Sequence, residues 1–141
     1  MKKIILIGRS EAGKTTLKQV LRSETVEYIK TQSVDHFDVI VDTPGEYIQT
    51  RHLGGALAVY SYESDVIGLL ASATEPYSLF GPAIAATATR PVIGIVTKCD
   101  EDGARVPMVY GWLQEAGCDP IFTVDSKTGT GIEALMRFLS A

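Results

Sequence analysis

One stretch near the start of the chain restricts its fold more than any other: Gly8-Arg9-Ser10-Glu11-Ala12-Gly13-Lys14-Thr15. It follows an apolar run, Ile4-Ile5-Leu6-Ile7, and precedes residues 16–21, where Leu17, Val20 and Leu21 share helical spacing. Strand, glycine-rich loop and helix in that order are what a P-loop requires. Glycines at both ends let the loop curl until successive backbone N–H groups face phosphate oxygens, and the following helix adds its positive dipole end. Lys14 then brings a point charge to the β and γ phosphates, and the Thr15 hydroxyl is placed to ligate Mg²⁺. The whole run from Gly8 to Thr15, with Thr16 behind it, is therefore a candidate nucleotide cradle.

A chain of 141 residues with 45% hydrophobic and 21% charged side chains has the makings of one domain, residues 1–141. A chain of that size buries roughly two thirds of its unfolded surface, enough for a core without staples. The net charge of −4, with no Lys/Arg cluster, argues against nucleic acid or an anionic membrane as a partner. Met1-Lys2-Lys3 before isoleucines imitates a secretory leader, but the apolar run stops after four residues at Gly8-Arg9 and reads better as a buried strand. Cys99 and Cys118 lack paired metal-ligand spacing and read as reduced thiols of a cytoplasmic protein.

Further along, residues 24–30 read as loop, and residues 33–37 and 37–41 as two short strands. Asp42-Thr43-Pro44-Gly45 follows the second strand directly. A carboxylate at the end of a buried strand suits a Mg²⁺ site, usually through water, and the Gly45 N–H can approach a γ-phosphate closely. Thr31 is the matching polar candidate in the preceding loop. Residues 50–62 can form a helix despite Gly54-Gly55, and residues 66–70 a buried strand. A short helix is expected within residues 83–88, then a strand at 91–96, a helix with Val109, Trp112, Leu113 and Ala116 on one face, a strand at 120–124, and a last helix through Ile132, Leu135, Met136 and Leu139. Trp112, Met136 and Phe138 are assigned to the core. Alternating helices and near-continuous apolar strands predict a three-layer α/β sandwich of the P-loop NTPase class, like a small G domain, with a mostly parallel sheet covered on both faces.

Thr97-Lys98-Cys99-Asp100 closes the strand at 91–96 and carries the base preference. A carboxylate at Asp100 can accept from the guanine N1–H and exocyclic amine while the Lys98 stem covers the ring. Adenine offers neither donor. Asp125-Ser126-Lys127 closes the next strand, where a backbone N–H can donate to the guanine O6. GTP or GDP is the expected nucleotide, with ATP kept open as the alternative.

Lys30-Thr31-Gln32, leading to Asp42-Thr43-Pro44-Gly45-Glu46-Tyr47, resembles the EutP/PduV family of bacterial ethanolamine and propanediol utilisation, over essentially the whole chain. The resemblance implies a cytoplasmic protein associated with a bacterial microcompartment and, as partners, its shell proteins. Two roles come with it: a nucleotide-binding accessory of the shell, and an acetate kinase making acetyl phosphate from acetate and ATP. Against the wider G-protein pattern, Thr97 stands where asparagine is commoner, Asp125 where serine is, and Glu46 where signalling members carry the glutamine that orients water.

Phosphoryl transfer needs positioning and charge neutralisation more than covalent help. Lys14 and Mg²⁺ on Thr15, Thr31 and Asp42 would supply both, and Glu46 is the candidate for ordering the attacking water or acid. Glu11 would point to solvent or hold a monovalent cation, with Arg9 offsetting its charge. His36 and His52 read as surface residues, and Tyr47, Tyr60 and Tyr62 as packing or a partner surface. Three functions follow: a slow GTPase or GTP-regulated assembly factor, a kinase with Arg51 or Arg90 near its acid, and a shell-binding module without turnover. The short segment between Lys14 and Asp42 leaves little chain for a mobile switch and favours the third mildly. Oligomeric state is not encoded in any motif.

Overall fold

The computed structural model describes residues 4–7, 16, 17, 19–21, 39–41, 65–75 and 83–140. Five strands, β1 (Ile4–Ile7), β2 (Val39–Val41), β3 (Val66–Ser72), β4 (Val92–Thr97) and β5 (Ile121–Thr123), form one sheet in the order β2-β1-β3-β4-β5. All four neighbouring pairs are parallel. Residues 16, 17 and 19–21 are helical, a one-turn 3-10 helix runs over Ile84–Thr87, and two longer helices follow, α1 (Val106–Ala116) and α2 (Ile132–Ser140).

Burial explains why the strands lack alternation in their sequence. Successive strand side chains point to opposite faces, and here both faces are covered. Ile5, Ile7, Ile67, Leu69 and Val96 pack with Val109, Leu113 and Ala116 of α1. Ile4, Leu6, Val66, Leu70, Ile93 and Ile95 pack on the other side with Leu17, Leu21 and the α2 residues Ile132, Leu135 and Leu139. A strand buried on both sides has no polar positions to alternate with.

Helix ends follow local chemistry. Proline stands in the first turn of α1, where a missing N–H costs nothing. At its end Gly117 adopts φ 97°, its N–H donates to Gln114 O, and the Cys118 N–H reaches Leu113 O at 3.1 Å. This is the double bond of a left-handed glycine cap, with buried Cys118 as its apolar anchor. In α2 Glu133 sits in the first turn and Arg137 in the last, joined at 2.8 Å, so both charges also suit the helix dipole.

The differences from the sequence expectation have local causes. The segment at 83–88 is only a 3-10 turn, because Ala83 enters at φ 60° and the bonds from Ala86 to Ala83 and Ala88 to Ala85 span three residues. Trp112, Met136 and Phe138 are half-buried, packed against the margins of the two clusters and not within them. β5 is shorter than 120–124 and half-buried throughout, as the last strand of the sheet order, with Phe122 and Phe138 tilted against each other at 5.5 Å. Thr97 belongs to β4, paired with Ser72 of β3. The strand expected at 33–37, the helix at 50–62, His36, His52, Tyr47, Tyr60 and Tyr62 lie outside the described residues.

Gly131 opens α2 at φ 75°, and a Cβ there would collide with the Thr123 carbonyl oxygen. Both the dihedral and the backbone contact exclude a side chain. Gly131→Ala is expected to lose at least about 2 kcal/mol, read as a lower urea midpoint at unchanged slope; an unchanged midpoint would contradict this packing.

Candidate functional site

In parallel α/β sheets ligands sit beyond the carboxyl ends of the strands, where the strand order reverses. Here the chain passes from β1 outward to β2 and then back across to β3, so the reversal lies at β1 and β3. Gly8 is the residue after β1, and helical backbone resumes at Thr16, which is exposed. The glycine-rich stretch thus joins a buried strand to a helix at the reversal point. Gly8 to Thr15, Thr31, Asp42, Gly45 and Glu46 themselves, with Arg51, lie outside the described residues. Val41 is in register with Leu6, so Asp42 follows β2 at the sheet end from which Gly8 follows β1.

Two loops along the same edge are described in full. Thr97, buried at the end of β4, leads into Lys98, which is half-buried at φ 58°, a left-handed conformation that glycine would adopt more easily. Cys99 N–H then donates to Val124 O at 3.2 Å and stitches the loop to the end of β5.

Asp125 is the structural centre of this corner. Only 3% exposed, its carboxylate accepts the Asp100 N–H on Oδ2 at 3.2 Å and the Lys127 and Thr128 N–H groups on Oδ1 at 2.9 and 3.3 Å. Its own N–H donates to Thr130 O, and its carbonyl accepts from Gly129. One buried side chain thereby fixes both the loop after β4 and the turn after β5. The sequence presented Asp125 as a departure from a serine pattern; its position in the fold makes it a clasp.

Asp100 lies at the exposed end of this arrangement. Its Oδ2 accepts the hydroxyls of Thr128 at 2.7 Å and Thr130 at 2.5 Å, and the Cys99 thiol lies 3.8 Å from Oδ1. These hydroxyl bonds, Thr130's first, hold the carboxyl below its usual 3.8, so Asp100 is charged at any physiological pH. Lys127 is exposed and pairs loosely with Glu101 at 3.7 Å, while Ser126 is half-buried. Thr97, Lys98, Asp100, Ser126 and Lys127 are thus brought to one corner of the sheet edge. Thr128 and Thr130 were missed in the sequence, where hydroxyls in a glycine-rich turn carry no motif. Buried Glu75, three residues past the end of β3, whose Oε1 accepts the N–H of Ser72, was missed as well.

The family model described as ethanolamine utilisation and propanediol utilisation matches residues 1–141. The chain belongs to this PduV/EutP family. It is 41% identical over 142 residues to the propanediol utilization protein PduV of Citrobacter freundii, covering all of this chain and 95% of that one. It is 32% identical over 146 residues to a protein of Salmonella typhimurium named probable acetate kinase EutP, covering all of this chain and 91% of that one. Among solved structures it resembles the apo elongation factor SelB of Methanococcus maripaludis, with TM-score 0.67 and 19% identity over 98% of this chain. The likeness spans 32% of SelB's length. It also resembles a probable GTP-binding protein, EngB, with TM-score 0.61 and 19% identity over 96% of this chain and 94% of that one. The PduV/EutP chain therefore has the G-domain type of α/β fold expected from its glycine-rich stretch. Among its described residues no helix is long and apolar enough to cross a membrane.

Two measurements check this corner. Asp125→Ala strands three N–H groups and is expected to destabilise by about 2–4 kcal/mol, whereas Lys98→Gly trades left-handed strain for chain entropy and stays within about 1 kcal/mol of wild type. Equal urea midpoints for the two variants would contradict the clasp. Burial pushes the Cys118 thiol up to about 12, and burial with the Asp100 and Asp125 charges raises that of half-buried Cys99. Disulfide-exchange reagents at pH 7.5 should therefore modify Cys99 slowly and Cys118 only after unfolding; fast reaction of both in the native protein would overturn these environments.

Proposed function

We propose that the chain is a GTP-binding P-loop protein of ethanolamine and propanediol utilisation that hydrolyses GTP slowly, with residues 1–141 acting as one nucleotide-binding domain. The observation that carries this reading is the charged Asp100 carboxylate, gripped by two hydroxyls at the same sheet edge that Gly8 follows. Such an acceptor, held by the protein's own hydroxyls, matches the N1–H and exocyclic amine of guanine and meets the N1 lone pair of adenine unfavourably. In the neighbouring turn the N–H groups of Asp125, Lys127 and Thr128 are already engaged, which leaves the Ser126 N–H as the donor for the guanine O6. The Lys98 stem lies against the base in this reading, and Lys127 adds a flexible charge at the rim.

The phosphates would lie on the N–H groups of residues 8–15, Arg9, Ser10, Glu11 and Ala12 included, with Lys14 on the β and γ oxygens. Thr15, Thr31 and Asp42 are hard oxygen donors of the kind Mg²⁺ takes, and the Val41–Leu6 register supports that assignment by putting the ends of β1 and β2 together. When bound, the ion would neutralise charge building on the transferred phosphoryl group. Gly45 would contribute its N–H to the γ-phosphate and Glu46 would hold the attacking water. A microcompartment shell is the expected surrounding, and shell proteins the expected partners.

A second reading has its own support, the 32% identity to a protein named probable acetate kinase. In it Glu46 orients acetate, and the γ-phosphoryl group of ATP passes to a carboxylate oxygen, leaving ADP.

A phosphorus NMR time course with Mg²⁺, equal GTP and ATP, and acetate separates the two, beside a Lys14→Ala control. Loss of GTP with inorganic phosphate appearing is expected. Loss of ATP with acetyl phosphate appearing would replace the first reading by the second. Because the Asp100 carboxyl lies below its usual 3.8, guanine preference should stay flat from pH 8 to pH 5 and decline only as pH falls through that lowered value. Loss of preference inside the flat window would contradict the role of Asp100.

A further inference from the structure

We propose that Thr128 and Thr130 are the positioning residues for guanine selection: they grip Asp100 through Oδ2 and aim its carboxylate, and Thr128 gives up its bond when a guanine edge arrives. The inference rests on the reading of Asp100 as the base acceptor and adds how that acceptor is aimed and released.

A proton count carries it. Asp100 Oδ2, Thr128 Oγ1 and Thr130 Oγ1 form a closed triangle with sides of 2.7, 2.5 and 2.9 Å. A carboxylate brings no proton and each hydroxyl brings one, so two protons serve three contacts. With both protons on Oδ2, its two lone-pair directions are filled and the Thr128–Thr130 side is an acceptor without a donor. Oδ1 is left with the weak thiol contact to Cys99.

A guanine edge presents two parallel N–H donors, spaced to meet both oxygens of a carboxylate. Oδ1 can take one at once, and Oδ2 can take the other only if a hydroxyl withdraws. Thr128 is the one to leave. Its bond to Asp100 is the longer of the two, and Thr130 Oγ1 already stands 2.9 Å away to receive its proton. As it turns, Thr128 Oγ1 still accepts the Thr130 N–H at 3.4 Å, so no donor is orphaned. Thr130 keeps its bond to Oδ2 and holds the carboxylate in plane with the base. Adenine supplies nothing in exchange, so against adenine the carboxylate remains occupied and its charge faces a lone pair.

The turn carrying the two threonines is itself fixed from behind, through the Thr128 N–H on Asp125 Oδ1 and the Asp125 N–H on Thr130 O. Two exposed hydroxyls therefore stand on a fixed backbone.

Competition binding with GDP, IDP and ADP in Mg²⁺ tests the pair in the full chain, with urea midpoints measured beside it. IDP lacks only the exocyclic amine, so the GDP-to-IDP ratio reads the second hydrogen bond directly. Thr130→Val should weaken GDP about tenfold, bring the GDP-to-IDP ratio toward one and leave ADP unchanged. Thr128→Val, which removes only the bond that guanine displaces, should leave GDP binding unchanged or tighten it, and weakened GDP binding there would overturn the release of Thr128; Thr130→Ser should restore both affinity and ratio. If wild type prefers GDP and Thr130→Val keeps both ratios, or weakens all three nucleotides equally, the grip on Asp100 plays no part in selection, while the Asp100 reading stands. If wild type shows no preference for GDP over ADP, both fail.

Discussion

A parallel sheet has to bury both of its faces, and most of this fold depends on that requirement. Ile4 to Ile7, Val66 to Ser72 and Val92 to Thr97 are buried along their whole length, so helices must lie on each side. Parallel strands also deliver all their carboxyl ends to one edge. The loops that leave β1, β2, β3, β4 and β5 in the same direction are therefore neighbours without any contact having to bring them together. The phosphate cradle proposed after β1 and the base acceptor proposed after β4 follow strands of one sheet that end at the same edge, with β3 between them.

Along that edge the chemistry is arranged in depth. Asp125 is buried and its carboxylate accepts backbone N–H groups; Asp100 is exposed and its carboxylate accepts the Thr128 and Thr130 hydroxyls. Exchanging these roles would strand a charge in the core and leave the turn after β5 unheld. Thr128 and Thr130 bridge the two layers, since their backbones answer to Asp125 and their hydroxyls to Asp100. Lys98, in the loop after β4, takes up the left-handed region at φ 58°.

Much of this was legible in the sequence because the signals were periodic or covalent in origin. Continuous apolar runs marked the strands, and the spacing of Val109, Leu113 and Ala116 marked the face of α1. The alternation of elements and the glycine-rich stretch together led to the G-domain type of fold. What escaped depended on groups distant in sequence. Asp125 looked like an imperfect serine, because nothing local shows that its carboxylate reaches the Asp100 N–H, 25 residues away. Thr128 and Thr130 meet Asp100 across 28 and 30 residues. Half-burial of Trp112, Met136 and Phe138 was equally hidden, since residue type fixes a preference for the interior and the margins of each layer decide the outcome.

The guanine site proposed at Asp100, Ser126, Thr128 and Thr130 requires a strong preference for guanine over adenine. Equilibrium titration of the wild-type chain with GDP and with ADP, at pH 7.5 and saturating Mg²⁺, tests it most directly. Two hydrogen bonds to a charged acceptor predict GDP binding tighter by at least about a hundredfold. ADP binding as tightly as GDP, or more tightly, would contradict it.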